Sequence, residues 1–189
     1  MNFIKSCFVI FIVVFILQGC SSVPTEPVVE NQKAAFNITV SGDVKFESSF
    51  DGGYKSSLYA EQENRTSIAL SNTEINNEET YTMNMIVPEK ISQYGSYEYK
   101  KEGNHWLGTF EYNTTNDAVK YLETRNYTIE SMVIEVLSSS NGYINYNFRV
   151  IGKRSNLTRA YDNNVYNEGP SEDFVHINGN ATSKIEIVN

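Results

Sequence analysis

The sequence predicts an all-β domain, an antiparallel β-sandwich of about nine or ten short strands. Three observations support this fold class. From Phe36 onward, apolar residues alternate with polar ones in many short segments, the pattern of strands with one buried face. Turn residues such as Asp51-Gly52-Gly53 and Asn141-Gly142 separate these segments. No long segment shows the apolar period of a helix.

The alternation places several strands in the first half of the domain. Apolar residues alternate over Phe36–Val40, resume at Val44–Phe46 and alternate most regularly over Tyr81–Val87, where Pro88 ends the ladder because it has no amide proton. The Asn- and Glu-rich segment Asn72–Glu79 is predicted to be a loop. The other strands predicted here are Tyr54–Ala60, Thr66–Ser71, Tyr97–Lys100 and Trp106–Asn113, the last two forming a hairpin around Glu102-Gly103-Asn104.

Thr114–Arg125 is the segment in which a short helix competes with a strand. Thr114 and Asp117 resemble a capping box, which favours a helix. Ala118, Val119 and Leu122 could share one helical face, but Val119 and Tyr121 could equally continue a strand. We predict strand or irregular structure here and keep one short helix near 115–124 as the alternative.

The segments Tyr127–Ser139 and Tyr143–Ile151 form the most fully specified hairpin. A two-residue turn at Asn141-Gly142 would mix charged and apolar side chains on one face. A three-residue loop, Ser140-Asn141-Gly142, avoids this mixture, and we predict it, with Gly142 in the left-handed conformation of a bulged turn. The cross-strand pairs of this register are Val136–Tyr146, Ile134–Phe148, Met132–Val150, Glu135–Asn147 and Val133–Arg149.

The C-terminal part contains more turn residues. Residues 152–172 are rich in Asn, Asp, Gly and Ser and are predicted to form a long polar loop. Phe174–Ile177 and Lys184–Val188 are predicted as the last two strands, separated by a turn at Asn178-Gly179-Asn180.

The first residues have the composition of a targeting segment. Lys5 precedes an apolar core, Cys7–Leu17, that is shorter than the roughly 20 residues needed to span a bilayer. A cationic start, a short apolar core and a small residue before the cleavage site are typical of a secretory signal peptide. An uncleaved anchor helix is the alternative.

Leu17-Gln18-Gly19-Cys20 resembles the lipobox of bacterial lipoproteins. The resemblance implies cleavage between Gly19 and Cys20, diacylglycerol attachment to the Cys20 thiol and acylation of the new amino group. Two or more acyl chains anchor a protein stably, since each buried methylene contributes about 0.8 kcal/mol. Residue 21 is Ser and not Asp, and in a Gram-negative host lipoproteins with this pattern are commonly passed to the outer membrane.

The chain therefore divides into residues 1–19 as lipoprotein signal peptide, 20–34 as lipidated N-terminus and flexible linker, and 35–189 as a single domain. The net charge of −8 argues against binding to nucleic acid, whose phosphates it would repel. No cysteine follows Cys20, which excludes disulfides, thiol catalysis and cysteine metal sites in the domain.

No catalytic motif is present, and we predict no catalytic, cofactor-binding or metal-ligating residue. Of the two histidines, His105 is expected at a solvated hairpin end and His176 as a partly buried strand residue. The adjacent carboxylates Glu78-Glu79 and Glu172-Asp173 are expected in solvated loops. A glycosidase would need two carboxylates that face each other across a cleft.

Three further groups of residues are candidates for binding. Asp162-Asn163-Asn164, with Asn167 and Glu168, offers oxygen ligands for calcium but lacks the spacing of a calcium loop, so a polar loop is favoured. The basic cluster Lys153, Arg154 and Arg159 would suit an anionic sugar or an acidic partner, although a solvated loop is favoured. Trp106 is expected in the core rather than as a sugar platform.

Taken with the lipobox, these features predict a lipid-anchored protein of the cell envelope that binds and does not catalyse. Its expected partners are the membrane, through acyl chains on Cys20, and an envelope protein, for which the chain would be an accessory or assembly component. The alternative is a surface carbohydrate-binding module that uses exposed Tyr or Trp, and a glycan hydrolase with paired carboxylates ranks last. No motif identifies a family for residues 35–189.

Overall fold

The computed structural model describes residues 34–51, 57–60, 65–72, 78–91, 94–103 and 105–188. These residues form an almost purely β-stranded, sandwich-like fold, as predicted. The predicted signal peptide, Cys20, nearly all of the linker and the turn residues Gly52-Gly53 lie outside the described residues. The strands are β1 (Ala35–Gly42), β2 (Phe46–Asp51), β3 (Ser57–Ala60), β4 (Arg65–Asn72), β5 (Glu79–Val87), β6 (Gly95–Lys100), β7 (Gly108–Asn116), β8 (Tyr121–Ser140), β9 (Tyr143–Tyr161), β10 (Asn164–Glu168) and β11 (Phe174–Val188).

The strands form one continuous hydrogen-bonded sheet that folds over into two packed layers. Hydrogen-bonded neighbours follow the order β2-β1-β11-β9-β8-β6 in the first layer and β3-β4-β5-β7-β8-β9-β10 in the second. These pairs are antiparallel, whereas β3 also pairs in parallel with the end of β11. Phe46 of β2 stacks on Tyr112 of β7, with ring centroids 5.2 Å apart, so side chains of the two layers meet.

β8 and β9 belong to both layers. β9 pairs with β11 as far as Lys153 and with β10 from Leu157 onward. β8 pairs with β6 over residues 131–136 and with β7 over residues 121–128. The β8–β9 register shifts between these halves, and such bulges bend a strand and increase its twist. The bulges therefore let one hairpin pass from the first layer into the second.

The core follows the predicted alternation. Phe36, Ile38 and Val40 of β1 are buried, as are the four alternating apolar residues of β5. Full burial of one such side chain stabilises a fold by about 1.5–3 kcal/mol. The largest fully buried side chains outside β5 are Tyr127, Tyr146, Phe110, Phe148, Ile68, Leu70, Ile91, Ile129, Met132 and Ile134.

The hairpin between β8 and β9 confirms the predicted register but corrects the turn. All five predicted pairs, from Met132–Val150 to Val136–Tyr146, are present. The loop has two residues, however: Ser140 pairs with Tyr143, and both Asn141 and Gly142 have positive φ, at 51° and 77°. This combination is the type I′ turn. The odd residue is accommodated at a bulge at Leu137 instead of in the turn.

The predicted polar loop over residues 152–172 is wrong. β9 continues to Tyr161, a two-residue turn follows, and β10 runs back along β9. The turn residues Asp162 and Asn163 both have positive φ, which Asp and Asn tolerate better than other side chains. This second hairpin was not visible as alternation because every residue of β10 is exposed.

Two further expectations are corrected. β6 and β7 do not form a hairpin, because both pair with successive stretches of the same edge of β8. Asn178-Gly179-Asn180 is not a turn, since β11 runs through it without interruption. Gly179 is needed for close packing: a Cβ atom there would lie 2.5 Å from Cζ of Phe148 and would also overlap the carbonyl oxygen of Asn37.

The segment with competing predictions is mostly strand. β7 ends at Asn116, a single 3-10 turn covers Asp117–Val119, and β8 begins at Tyr121. None of the described segments is a helix with the length and apolar character needed to traverse a bilayer.

Candidate functional site

One end of the second layer stands out because it exposes apolar side chains. We define the distal arm as Tyr121–Arg125 of β8, Leu157–Tyr161 of β9 and the whole of β10. Ala35 pairs with Thr182 of β11, which in turn pairs with Asn145 near the start of β9. The distal arm lies at the other end of β9. Every side chain of β10 is exposed, with Val165 at 61% and Tyr166 at 62%. Such exposure on both faces of a strand shows that β10 does not contribute to the core.

The two faces of the distal arm differ in character. Leu122, Ala160 and Val165 are direct neighbours across β8, β9 and β10, so they form an apolar row on one face. On the other face, Tyr121 pairs with Tyr161, and Tyr166 lies diagonally beyond. The arm therefore presents a small apolar row on one side and tyrosines on the other.

An ionic cluster holds the tyrosine face together. The carboxylate of Glu123, only 8% exposed, accepts hydrogen bonds from Arg125 Nε at 2.6 Å, Arg159 Nε at 2.8 Å and the Tyr121 hydroxyl at 2.6 Å. Burial would raise the pKa of Glu123, but these hydrogen bonds and the charge of Arg125 outweigh it and lower the pKa to about 2. Arg159 also forms an ion pair with Glu168, which ties β10 to β9 and β8.

The base of the arm is attached to the first layer through Asp43. This residue follows β1, and its carboxylate binds Nη1 of Arg125 at 2.9 Å and Nη1 of Arg154 at 3.5 Å. Arg154 is bound in addition by Asp173 at 2.7 Å. The arm is thus supported by charge-assisted hydrogen bonds, which are stronger than neutral ones.

The structure brings the predicted basic cluster together but supplies each cation with a carboxylate. Lys153 binds Glu172 at 2.7 Å, Arg154 binds Asp43 and Asp173, and Arg159 binds Glu123 and Glu168. A bound anionic ligand would have to displace these carboxylates. The cluster is therefore structural, and an anionic sugar is not favoured as its ligand.

The aromatic and histidine predictions need correction. Trp106 is not in the core: its side chain is 56% exposed, because the neighbouring Leu107 takes the buried position before β7. His176 is exposed rather than partly buried, since Val175 and Ile177 occupy the inward positions of β11. His105 is exposed, as predicted.

The carboxylate pairs do not form the arrangement of a glycosidase in the described ranges. Glu78 and Glu79 are exposed at the start of β5. Glu123 and Glu168 both form ion pairs with Arg159, which lies between them. Hydrogen bonds from Arg159 and its neighbours lower the pKa of Glu123, so this carboxylate is not suited to protonate a leaving group.

The candidate calcium ligands, for which the sequence favours a polar loop, lie in the turn between β9 and β10 and in β10 itself. Asp162 and Asn163 adopt the turn conformation, and the side chain of Asn167 accepts a hydrogen bond of 2.9 Å from Thr158. No group of three or more potential metal ligands of the His, Cys, Asp and Glu types occurs in the part of the chain that the structure describes.

Two shallow grooves cross the solvent face of the first layer. One, of about 160 Å³, is lined by polar groups such as Glu135, Asn147 and Arg149, and the other, of about 250 Å³, includes Asn37 and Glu47. Both are smaller than the roughly 300–1,000 Å³ of typical ligand pockets. They have the polarity expected of a solvated sheet face.

The distal arm is the element that sequence reasoning missed. Its signal was the dipeptide Asp162-Asn163, both residues of which accept the positive φ of a type I′ turn. Comparisons of the chain with models of protein families, with curated proteins and with solved structures found no match.

Proposed function

We propose that the chain is a lipid-anchored protein of the bacterial cell envelope that acts without catalysis, as a binding or assembly module for a protein partner. Cys20 carries the acyl chains in this proposal, and in a Gram-negative host the protein resides in the outer membrane. The lipobox Leu17-Gln18-Gly19-Cys20 supports the anchor.

The observation that supports protein binding is the exposure of β10. β10 makes no core contacts of its own, and it is held in place by its pairing with β9 and by the ion pair between Glu168 and Arg159. Leu122 and Val165 belong to an apolar row that reaches the outer edge of β10. Both side chains are exposed, so this row adds nothing to the core of the domain. Contiguous apolar side chains exposed on one face are typical of a protein interaction site.

The anchor is tested by Cys20→Ala in the native host. We expect the variant to be released from membranes by high salt and carbonate, because no acyl chain can be attached. The control is Cys7→Ala, which alters the other cysteine of the chain and should leave the protein in the membrane. Retention of the Cys20→Ala protein after both washes would disprove lipidation as the anchor.

The protein partner is tested by a photo-crosslinking amino acid in place of Tyr166, in the native host. We expect one discrete protein adduct, identified by mass spectrometry. The control is the same replacement at Tyr94, which is also strongly exposed but lies before β6, near the opposite end of β8. Adducts from both positions, or from neither, would contradict a binding site on the distal arm.

Carbohydrate binding is the second candidate, and the tyrosine face favours it. Tyr161 and Tyr166 are exposed on one face, and aromatic rings in such a position can stack on sugar rings. The paired substitution Tyr161→Ala and Tyr166→Ala should abolish binding to the polysaccharides isolated from the host envelope. Val165→Thr, on the opposite face, should leave that binding unchanged. Failure of the wild-type protein to bind them excludes this function.

A further inference from the structure

We infer that the partner binds by adding an extended strand of its own to the open edge of β10. This inference rests on the proposed function and specifies its mode of recognition. Within the described ranges, β10 pairs with β9 on one edge and with no strand on the other. An edge strand offers a row of amide and carbonyl groups that an extended peptide satisfies.

The register identifies the backbone groups that are available. Tyr161 and Asn164 flank a two-residue turn and therefore form a hydrogen-bonded pair. Hydrogen-bonded and non-hydrogen-bonded pairs alternate along an antiparallel ladder, so Val165 and Asn167 belong to the second kind. Their amide and carbonyl groups point away from β9. Two donors and two acceptors are thus presented at the edge.

A comparison of the open edges within the fold favours β10. Among the described strands, β2 and β6 also pair on one edge only. Natural proteins protect such edges with charged side chains. β2 contains Glu47 and Asp51, and β6 contains Glu98 and Lys100, whereas β10 contains a single charge, Glu168, at its last residue and paired with Arg159. β10 is the least protected of these edges.

The charge of the chain defines the chemistry of the partner strand. Asp162 and Glu168 lie at the two ends of the edge, and the whole chain has a net charge of −8. A basic strand is attracted to this edge and an uncharged strand is tolerated, whereas an acidic strand is repelled. Leu122, Ala160 and Val165 form an apolar row. The residue of the partner strand opposite Val165 is therefore expected to be apolar.

The same observations disfavour two other occupants. A second copy of the chain would bring two acidic domains together through a strand of only five residues. The chain before Ala34 enters β1 at the opposite end of β9, far along the sheet from β10. The favoured occupant is therefore an apolar, non-acidic segment of a different protein.

The test uses the full-length chain carrying Cys20→Ala in detergent, with the probe acetyl-Lys-Thr-Val-Thr-Val-Thr-Lys-amide. We expect the peptide to slow amide hydrogen exchange at Val165 and Asn167 at least tenfold, as measured by NMR, without an effect on β2 or β6. Val165→Pro removes an amide proton that β9 does not use, so the fold should persist and the protection at Asn167 should disappear. The matched control Val165→Thr keeps the amide and should keep the protection.

Three results of the exchange measurement would overturn the inference. They are the absence of protection at Val165 and Asn167, equal protection of β2 or β6, and unchanged protection at Asn167 in Val165→Pro. A concentration-dependent dimer that Val165→Pro abolishes would assign the edge to a second copy and would also overturn it. If Val165→Pro retains the protein adduct from position 166, strand addition fails while the proposed protein binding stands.

Discussion

The hydroxyl group of Tyr127 donates a hydrogen bond of 2.6 Å to Oδ2 of Asp43, so a residue in the middle of β8 is joined to the turn after β1. The ring of Tyr127 is fully buried, and it contacts Phe110 with centroids 5.7 Å apart. Burial and the neighbouring Asp43 raise the pKa of the Tyr127 hydroxyl above its usual range. This side chain therefore connects the apolar core with the ionic cluster.

Tyr127→Phe should lower the free energy of unfolding by about 1–3 kcal/mol, because a charge-assisted hydrogen bond is lost while the ring remains packed. Urea denaturation measures the change. Tyr161→Phe is the control: its side chain is exposed, and its substitution should change stability by no more than about 0.5 kcal/mol. Equal stabilities of the two variants would show that the hydrogen bond between Tyr127 and Asp43 does not stabilise the fold.

Glu123 should make stability depend on pH at the acid end. Its pKa is lowered from an ordinary value of 4.5 to about 2, so the unfolded chain takes up a proton that the folded chain does not. The stabilising contribution is complete above about pH 4.5 and is lost as the pH falls towards 2. Glu123→Gln should remove this part of the pH dependence, measured as the difference from wild type in urea midpoints between pH 2 and 6.

The control for that measurement is Glu98→Gln, whose side chain is largely exposed. This variant should follow the wild-type pH dependence closely. A Glu123→Gln curve that ran parallel to wild type over the whole range would contradict the role assigned to the Glu123 carboxylate.

Deletion of Leu137 should leave the fold intact. Val136 pairs with Tyr146 and Ser138 with Asn145, so Leu137 is the unpaired residue of a bulge, and its side chain is partly exposed. Removal of the residue restores a regular ladder, and we expect a change in stability within about 1 kcal/mol. Thermal unfolding measured by circular dichroism checks this.

The matched control inserts an alanine between Val133 and Ile134. The insertion turns Val133 and the residues before it to the opposite face, so it should prevent folding. If the deletion of Leu137 were as damaging as this insertion, the register around the bulge would be wrong.

Gly179→Ala should cost about 3 kcal/mol or more, because the added methyl group would overlap Phe148 and the backbone of Asn37. Gly169→Ala is the control, since nothing lies within 4 Å of a Cβ atom there. Chemical denaturation compares the two variants. A small effect at Gly179 would mean that β1 and β11 can separate without loss of stability.

The alternation of apolar residues predicted most of the sandwich, including the pairing of Met132–Val136 with Tyr146–Val150. The turn could not be predicted from the same pattern. A two-residue turn and a bulge at Leu137 together shift the ladder by the same one residue as a three-residue loop. Cross-strand pairs report the net shift and not where the extra residue lies.

The alternation of apolar residues could not predict the distal arm or its ionic cluster, for two different reasons. β10 is exposed on both faces, and a strand without a buried face has no apolar period. The partners in the cluster are distant in the sequence: Asp43 meets Arg125 and Arg154, which only the layer packing brings together. Isolated charges in a sequence look the same whether they pair or remain solvated.

The position of β11 has a consequence for how the domain folds. β11 lies between β1 and β9 and also pairs with β3. β1 can therefore join the sheet beside β11 only after β11 has formed. Contacts between residues so far apart in the sequence slow folding, because the entropy of a long loop is lost before the contact forms. We therefore expect the first layer to be completed only when residues 174–188 are present.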